Sequence, residues 1–409
     1  RSSGEDEIQQ RSMAFPGSFN CACDNLHTGN GFYGFFRNGV YTVGSVMIYI
    51  LSIGVFAGLS ALLTALLLVS EKLFADYGVC RLDINAGEEP LDVEGGQTLL
   101  SALYSSGIFI PSGCGGKGSC GHCKIRVLSG GGPVLPTELP FLDRKEIQNG
   151  IRLACQIKIR EDIAVQIPEE LLNIQMFTAC VVDTRDLTSD IRQIRLQLEE
   201  PERIEFRPGQ YVQVEVASDA GTEYRAYSIS SPSGQNDEIE LVVKLIPGGL
   251  ASTYLHNVRK RDHVRFTGPY GDFVLSEDPQ REIVCVGGGC GMAPMRSIIY
   301  SVYDRWPERT CWLFFGCRRC EDVFYLDEFR ELERLWPNFH AVYALSDEVP
   351  DPEQWGGEKG MIHLALDRIL APGGRRQAFL CGPEPMIEAV TAVLTGKGVS
   401  KKDIFYDEF

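Results

Sequence analysis

"SGCGGKGSCGHC", residues 112–123, sets three cysteines and five glycines into twelve positions. Cys114, Cys120 and Cys123 are spaced C-x5-C-x2-C, and Cys155 follows after an interval of 31 residues. Four thiolates from two separate stretches can therefore converge on one centre. Plant-type [2Fe–2S] proteins use C-x4-C-x2-C and a distant fourth cysteine, one residue shorter in the first interval. The glycines suit such a loop, because positive φ lets successive N–H groups turn towards anionic sulfur. Zinc also takes four cysteines, but its structural sites pair two short hooks, whereas here the second half supplies Cys155 alone. A Rieske centre needs two histidine ligands, and His122 is the only histidine in the loop. The loop reads as a cluster cradle ahead of a zinc knuckle.

Outward from the loop, residues 77–172 read as a small α+β unit. "VCRLDINAGEEPLDVEGG" predicts strand, turn, strand, and a short helix follows from Gln97 to about Ser106. "HCKIRVLSG" is a further strand, and "IRLACQIKIREDIAVQIP" gives two more around Cys155. Residues 175–275 carry many short strands with turns, including "IRQIRLQLE", "QYVQVEV" and "EIELVVKLI", which predicts an antiparallel β-barrel. "GPYGDF", 268–273, is expected to be the turn that closes it. Over residues 280–409 strands alternate with helices, the pattern of a Rossmann-like parallel sheet.

Residues 41–70 contain no charged side chain and are long enough to cross a bilayer as one helix. Residues 1–40 show no sustained period and receive no fold; the isolated Cys21 and Cys23 lie there. Arg37 precedes the span, whereas Lys72 and Arg81 follow it, which favours a cytoplasmic C-terminal side. The whole is a multidomain chain of 409 residues with 39 Lys and Arg against 55 Asp and Glu, a formal charge of −16. That charge repels phosphate backbones and argues against nucleic acid as a partner. The fourteen cysteines are scattered and partly clustered, unlike the dense framework of a small secreted domain.

The cysteine pattern, "SGGGPVLPTEL" at 129–139, the apolar span and the two downstream units resemble the F subunits of sodium-translocating NADH:quinone oxidoreductases. A wider group, ferredoxin-NADP reductase-like flavoproteins fused to a ferredoxin, shares all but the span and "LPTEL". The resemblance implies a β-grasp ferredoxin domain, an FAD-binding barrel and an NADH-binding domain, with Cys114, Cys120, Cys123 and Cys155 as cluster ligands. "RAYSIS", 225–230, resembles the family's R-x-Y-S motif, which implies Arg225 on the diphosphate, Tyr227 on the flavin and Ser228 near N5. In "KLIPGGLASTYL", Lys244, Gly248, Gly249, Ala251, Ser252 and Thr253 are implied at a second phosphate cradle, which favours FAD over FMN. Gly288, Gly289, Gly291, Met292 and Pro294 of "VGGGCGMAPM" are implied at the NADH pyrophosphate. "FLCGPEPM" resembles the family's C-G-P-x-x-M segment and places Cys381, Gly382 and Pro383 near the nicotinamide, while Phe409 matches an aromatic beside the isoalloxazine. Asp347 and Glu348 stand where related NADPH enzymes tend to carry a basic residue, so they favour NADH. The chain departs from the family before Arg225, where "EVASDAGTEYRAYS" replaces a long insertion.

Electron counting orders the cofactors. NADH gives two electrons as hydride, a [2Fe–2S] cluster takes one at a time, and a flavin handles both. The expected route is NADH to FAD to cluster, then to integral membrane subunits of a respiratory complex in the cell inner membrane, with quinone as final acceptor. The span carries no ionisable residue for an ion path, so any pumping belongs to partners. The same redox units would also serve a membrane-tethered reductase of an oxygenase or desaturase, or a redox sensor without turnover.

Overall fold

The computed structural model describes residues 35–74, 77–87, 90–218, 221–273, 275–347 and 355–408. Cys21, Cys23, Glu348 and Phe409 lie outside the described residues. Two units separate at Ala75.

Among the described residues the first contributes one helix, α1 (Phe35–Phe74). It begins inside the stretch given no fold above: once an apolar run nucleates a helix, adding a turn through "FFRNGV" costs little more than its propensity. Within it Val46–Ser70 has a mean hydropathy of 2.3 and is long and apolar enough to cross a membrane. Thr64 Oγ1 donates to Ser60 O at 2.9 Å, so this hydroxyl is satisfied within the helix, as hydrocarbon surroundings require.

The second unit contains three sheets. In the first, β1 (Val79–Ile84), β2 (Leu91–Glu94), β3 (Lys124–Ser129), β4 (Ile151–Leu153) and β5 (Ile163–Gln166) order as β2-β1-β5-β3-β4. Helix α2 (Leu99–Ser105) starts at Thr98, whose Oγ1 accepts from Ser101 N at 3.2 Å, a side-chain cap that fixes its first turn. It buries Leu99, Leu100, Ala102 and Leu103 against the sheet. The cysteine loop runs between α2 and β3. Two short helices, α3 (Arg144–Gln148) and α4 (Glu169–Leu172), flank the last strands.

The second sheet contains β6 (Gln175–Asp186), β7 (Ile191–Glu200), β8 (Tyr211–Ser218), β9 (Gly221–Ser228), β10 (Glu238–Lys244) and, after helix α5 (Leu250–Asn257), β11 (His263–Tyr270). Its order is β10-β7-β6-β11-β8-β9, and every pair is antiparallel. A bridge from Ile229 to Leu241, with Ser230 N donating to Glu240 O at 2.8 Å, joins the two edges into a barrel. The inward residues fill the barrel core with Ile194, Leu196, Val214, Leu241 and Phe266. The "GPYGDF" turn is corrected: Gly268, Pro269 and Tyr270 are the last residues of β11, which pairs with β6 to Gly268 and resumes pairing with β8 at Tyr270 after a register shift. Proline fits there because a shifted register asks it for no ladder N–H.

The third sheet is wholly parallel and ordered β15-β14-β13-β12-β16-β17. Its elements are β12 (Glu282–Gly288), α6 (Met292–Arg305), β13 (Cys311–Cys317), α7 (Leu326–Leu335), β14 (Phe339–Leu345), β15 (Glu358–Lys359), α8 (Ile362–Ile369), β16 (Arg376–Gly382), α9 (Glu384–Gly396) and β17 (Ile404–Glu408). From β12 the chain winds outward through β13 and β14, then returns to lay β16 on the other side of β12. That reversal opens a crevice at the carboxyl ends of β12 and β16, the place where open α/β sheets bind nucleotides.

Candidate redox centre

The cysteine loop is shaped by its glycines and by two neighbours. At Gly115, with φ +64°, an added Cβ would stand 1.7 Å from Arg225 Nη1 of the barrel. At Gly118, with φ +76°, it would meet Gln156 Nε2 at 2.4 Å. Gln156 Nε2 in turn lies 3.4 Å from Cys155 Sγ, so the bare backbone at Gly118 leaves an amide donor free to reach a sulfur. The four thiols pair as Cys114 with Cys120 and Cys123 with Cys155. The Cys120 hydrogen bond chiefly holds Cys114 below the ordinary thiol range, and the Cys123 bond does the same for Cys155. Their partners Cys120 and Cys123 are pushed up, because a thiol that donates its proton to a neighbouring sulfur holds it more tightly. No three of these sulfurs lie mutually within 4.8 Å among the described residues. A single zinc would gather all four within about 3.8 Å of one another. Two pairs fit two irons.

A cavity of about 530 Å³ opens directly beside this loop. Gly113, Cys114, Cys120 and His122 form one wall; Arg225, Tyr227 and Ser228 of β9, with Tyr211 of β8, form the next. Lys244, Gly249, Ala251 and Ser252 line the end where α5 begins, and Cys290, Cys381 and Asp407 come from the parallel sheet. The β8 to β9 register sets this arrangement, pairing Tyr211 with Ser228 and Val212 with Tyr227. Arg225 bridges to Glu223 and donates to Tyr224 O at 2.8 Å. Burial pushes the Tyr227 phenol well up, so it stays neutral and presents an apolar face. Burial likewise drives the Cys290 thiol up to about 11 and pushes the Cys381 thiol well up, with Asp407 adding to both, which favours the neutral thiols. Ser252 Oγ accepts from Ile246 N at 3.1 Å and so braces the α5 turn; Gly248 and Thr253 belong to that turn without lining the cavity.

A second cavity, of about 610 Å³, occupies the crevice at the sheet's reversal point. Gly288, Gly289, Pro383 and Met386 line it, and Lys244 borders both cavities. Gly291, Met292 and Pro294 stand behind its wall, buried. Gly291 lets the wall close: a Cβ there would fall 2.1 Å from Cys381 O, so β16 and the start of α6 touch only because this position is bare. Gly382 packs in the same way against Met386. Ser346 lines the cavity, and its neighbour Asp347 donates its N–H to Arg318 O at 3.0 Å.

Several residues here escape a reading of the sequence alone. Tyr211 and Asp407 line the flavin-side cavity, and Arg318 and Arg319 line the other. In "GCRRC" the cysteines draw the eye; Cys317 Sγ bonds Asp322 O at 3.4 Å, and Cys317 lines the cavity together with the two arginines. Asp407 lies two residues from the aromatic that the motif emphasises, which is the signal that could find it.

A thiolate cradle and two adjoining cavities, one at a barrel edge and one at the reversal point of a parallel sheet, define an iron–sulfur flavoprotein oxidoreductase. Three family models agree with that class: a 2Fe-2S iron-sulfur cluster binding domain over 82–160, an oxidoreductase FAD-binding domain over 178–275 and an oxidoreductase NAD-binding domain over 285–392. The F subunit of the Na(+)-translocating NADH-quinone reductase of Actinobacillus succinogenes is 32% identical, covering 88% of this chain and 98% of that one. Its counterpart in Neisseria meningitidis is 32% identical, over 88% of this chain and 99% of its own. Among solved structures, an Amycolatopsis cytochrome P450 reductase superposes with a TM-score of 0.65 at 31% identity, over 81% of this chain and 98% of that one. The ferredoxin reductase of a carbazole 1,9a-dioxygenase gives 0.62 at 27%, with the same coverage. The chain belongs to the family of Na(+)-translocating NADH-quinone reductase F subunits. Its cofactors are NADH, FAD and a [2Fe–2S] cluster.

Proposed function

We propose that this chain is the NADH-oxidising component of a sodium-translocating quinone reductase, anchored in the cell inner membrane by α1 with its redox domains in the cytoplasm. The domain division is 77–172 for the cluster, 175–275 for FAD and 280–409 for NADH. One observation carries the reading: the flavin-side cavity is walled by Cys114 and Cys120 on one side and by Cys381 on another, so a single chamber touches both the electron exit and the nicotinamide entrance. When bound, FAD takes a hydride and releases electrons singly to the cluster.

The residues have separable tasks. Cys114 and Cys120 would hold one iron, Cys123 and Cys155 the other, with Gln156 donating to the second pair. Arg225, released from Glu223, would fork onto a flavin phosphate. Tyr227 would cover the ring, and Ser228 leaves room for C4-to-N5 approach. Gly249 and Ser252 at the start of α5 would take the second phosphate, while Gly288 and Gly289 would take the pyrophosphate of NADH and Pro383 would stand near its nicotinamide. Hydride transfer needs no general acid; it needs the two rings aligned and water kept out, which neutral Cys290 and Cys381 favour.

Integral membrane subunits would receive the electrons, with quinone as the final acceptor. An oxygenase reductase shares the two solved folds, but α1 with its charge-free apolar span favours a membrane complex. Cys120→Ala in the purified complex tests the route. It should keep NADH-to-flavin reduction and lose quinone reduction, and unchanged quinone reduction contradicts it.

A further inference from the structure

On the outer wall of the flavin barrel, away from both cavities, Cys180, Glu199 and His263 bring one sulfur, one carboxylate oxygen and one imidazole nitrogen mutually within 4.8 Å. They come from three adjacent strands. Cys180 on β6 and His263 on β11 are direct cross-strand partners. Glu199 lies at a shift in the β6 to β7 ladder, where Thr178 pairs with Glu200 and Ala179 with Leu198, so it has no register partner of its own. Such a bulge re-aims a side chain, and here the Glu199 carboxylate reaches His263 Nε2 at 3.1 Å. The opposite faces of the same strands are anchored, since Ala179, Val181, Leu198 and Val264 are all in the barrel core. The three donors therefore stand on a rigid base.

We propose that this triad is a metal site for a borderline divalent transition ion, with Zn2+ the best match, held by Cys180 Sγ, His263 and Glu199 and completed by water. Tetrahedral zinc at ordinary bond lengths places mixed S, N and O ligands about 3.3–3.6 Å apart. The histidine–carboxylate edge is already near that length, and closing the sulfur edges takes a movement of about an ångström. Thiolate and imidazole select against Mg2+ and Ca2+, which prefer oxygen. Three protein ligands with one open position is an exchangeable arrangement, unlike a closed four-cysteine site. Because the ligands belong to β7, β6 and β11, a bound ion would tie three neighbouring strands and stabilise only the folded barrel.

The test uses the full chain loaded with flavin and cluster, dialysed against Zn2+ and then against metal-free buffer, with zinc content and zinc-edge X-ray absorption measured. The account expects one zinc per chain with a single sulfur among nitrogen and oxygen neighbours, and iron content unchanged. Cys180→Ser and the double variant His263→Gln with Glu199→Gln should each lower zinc affinity at least tenfold while keeping flavin content and flavin reduction by NADH. No retained zinc, four sulfur neighbours, or equal affinity in all variants overturns it.

Discussion

Gln213 Oε1, on strand β8 of the flavin barrel, accepts a hydrogen bond from Ser112 N, at the entrance to the cysteine loop, at 2.7 Å. Gln213 is fully buried and its Nε2 also donates to Ile110 O at 3.2 Å, so one side chain satisfies two backbone groups of the preceding segment. Ser112 Oγ then accepts from Gly116 N at 3.0 Å, inside the loop. The ring of Tyr104 meets Tyr224 edge-on, with centroids 4.7 Å apart, beside the same junction. The cluster loop is thereby registered on the barrel strand that precedes the R-x-Y-S strand.

Gln213→Leu leaves Ser112 N buried without its acceptor, at a cost of about 1–3 kcal/mol, while Ile110 O keeps the Tyr104 hydroxyl as a donor. Stopped-flow spectroscopy should show NADH reducing the flavin at the normal rate and the cluster being reduced several-fold more slowly. Gln213→Glu retains an acceptor for Ser112 N and should recover part of the cluster rate. A uniform slowing of both phases would point to general damage instead.

Gly115→Ala forces a side chain onto a φ of +64° and into the Arg225 guanidinium. The expected outcome is lowered iron and acid-labile sulfide content, together with weaker flavin retention because Arg225 is displaced. Gly291→Ala, which drives a methyl into Cys381 O, should instead keep the flavin and the cluster and raise the KM for NADH. Metal analysis, flavin release and steady-state kinetics separate the two.

Glu138 and Arg152 form a buried ion pair at 2.7 Å under the "LPTEL" stretch, with side-chain exposures of 0% and 6%. Arg152 also donates to the carbonyls of Gly131, Gly132 and Pro133, fastening the loop to β4 three residues before Cys155. Glu138→Gln leaves the guanidinium with a neutral partner and should destabilise by about 3–5 kcal/mol, read from denaturant midpoints. Burial alone would raise the Glu138 carboxyl, but Arg152 and the N–H groups of Leu135 and Leu153 outweigh it and bring it below 4.5. The pair's contribution is therefore present above the ordinary glutamate range and is lost as pH falls through the depressed folded value. The gap between wild type and Glu138→Gln should shrink on acidification over that range. Glu331→Gln, breaking a solvent-screened surface pair with Arg334, should leave the denaturant midpoint where it is in wild type.

The parts legible in the sequence are those written in local pattern. Cysteine spacing, the glycine run after β12 and the unbroken apolar span each encode their structure within a few residues. Gln213 and Arg152 are not legible there, because each acts through a partner outside its own strand. Gln213 looks like one more polar residue on an alternating strand until β8 is laid against residue 112. "GPYGDF" misleads because its glycines and proline suggest a turn, while the barrel's need to pair β11 with β8 carries the strand through Tyr270. Phe409, on which the C-terminal motif rests, lies outside the described residues, and Asp407 two positions before it lines the flavin-side cavity.

The central claim is that four thiolates hold two irons that receive electrons from NADH through the flavin. Anaerobic titration of the purified chain with NADH, followed by flavin absorbance and by electron paramagnetic resonance, tests it most directly. Flavin bleaching accompanied by the signal of a reduced two-iron cluster, present in wild type and missing in Cys120→Ala, is the predicted result. Flavin bleaching with no iron signal, and zinc in place of iron and sulfide, would contradict the account.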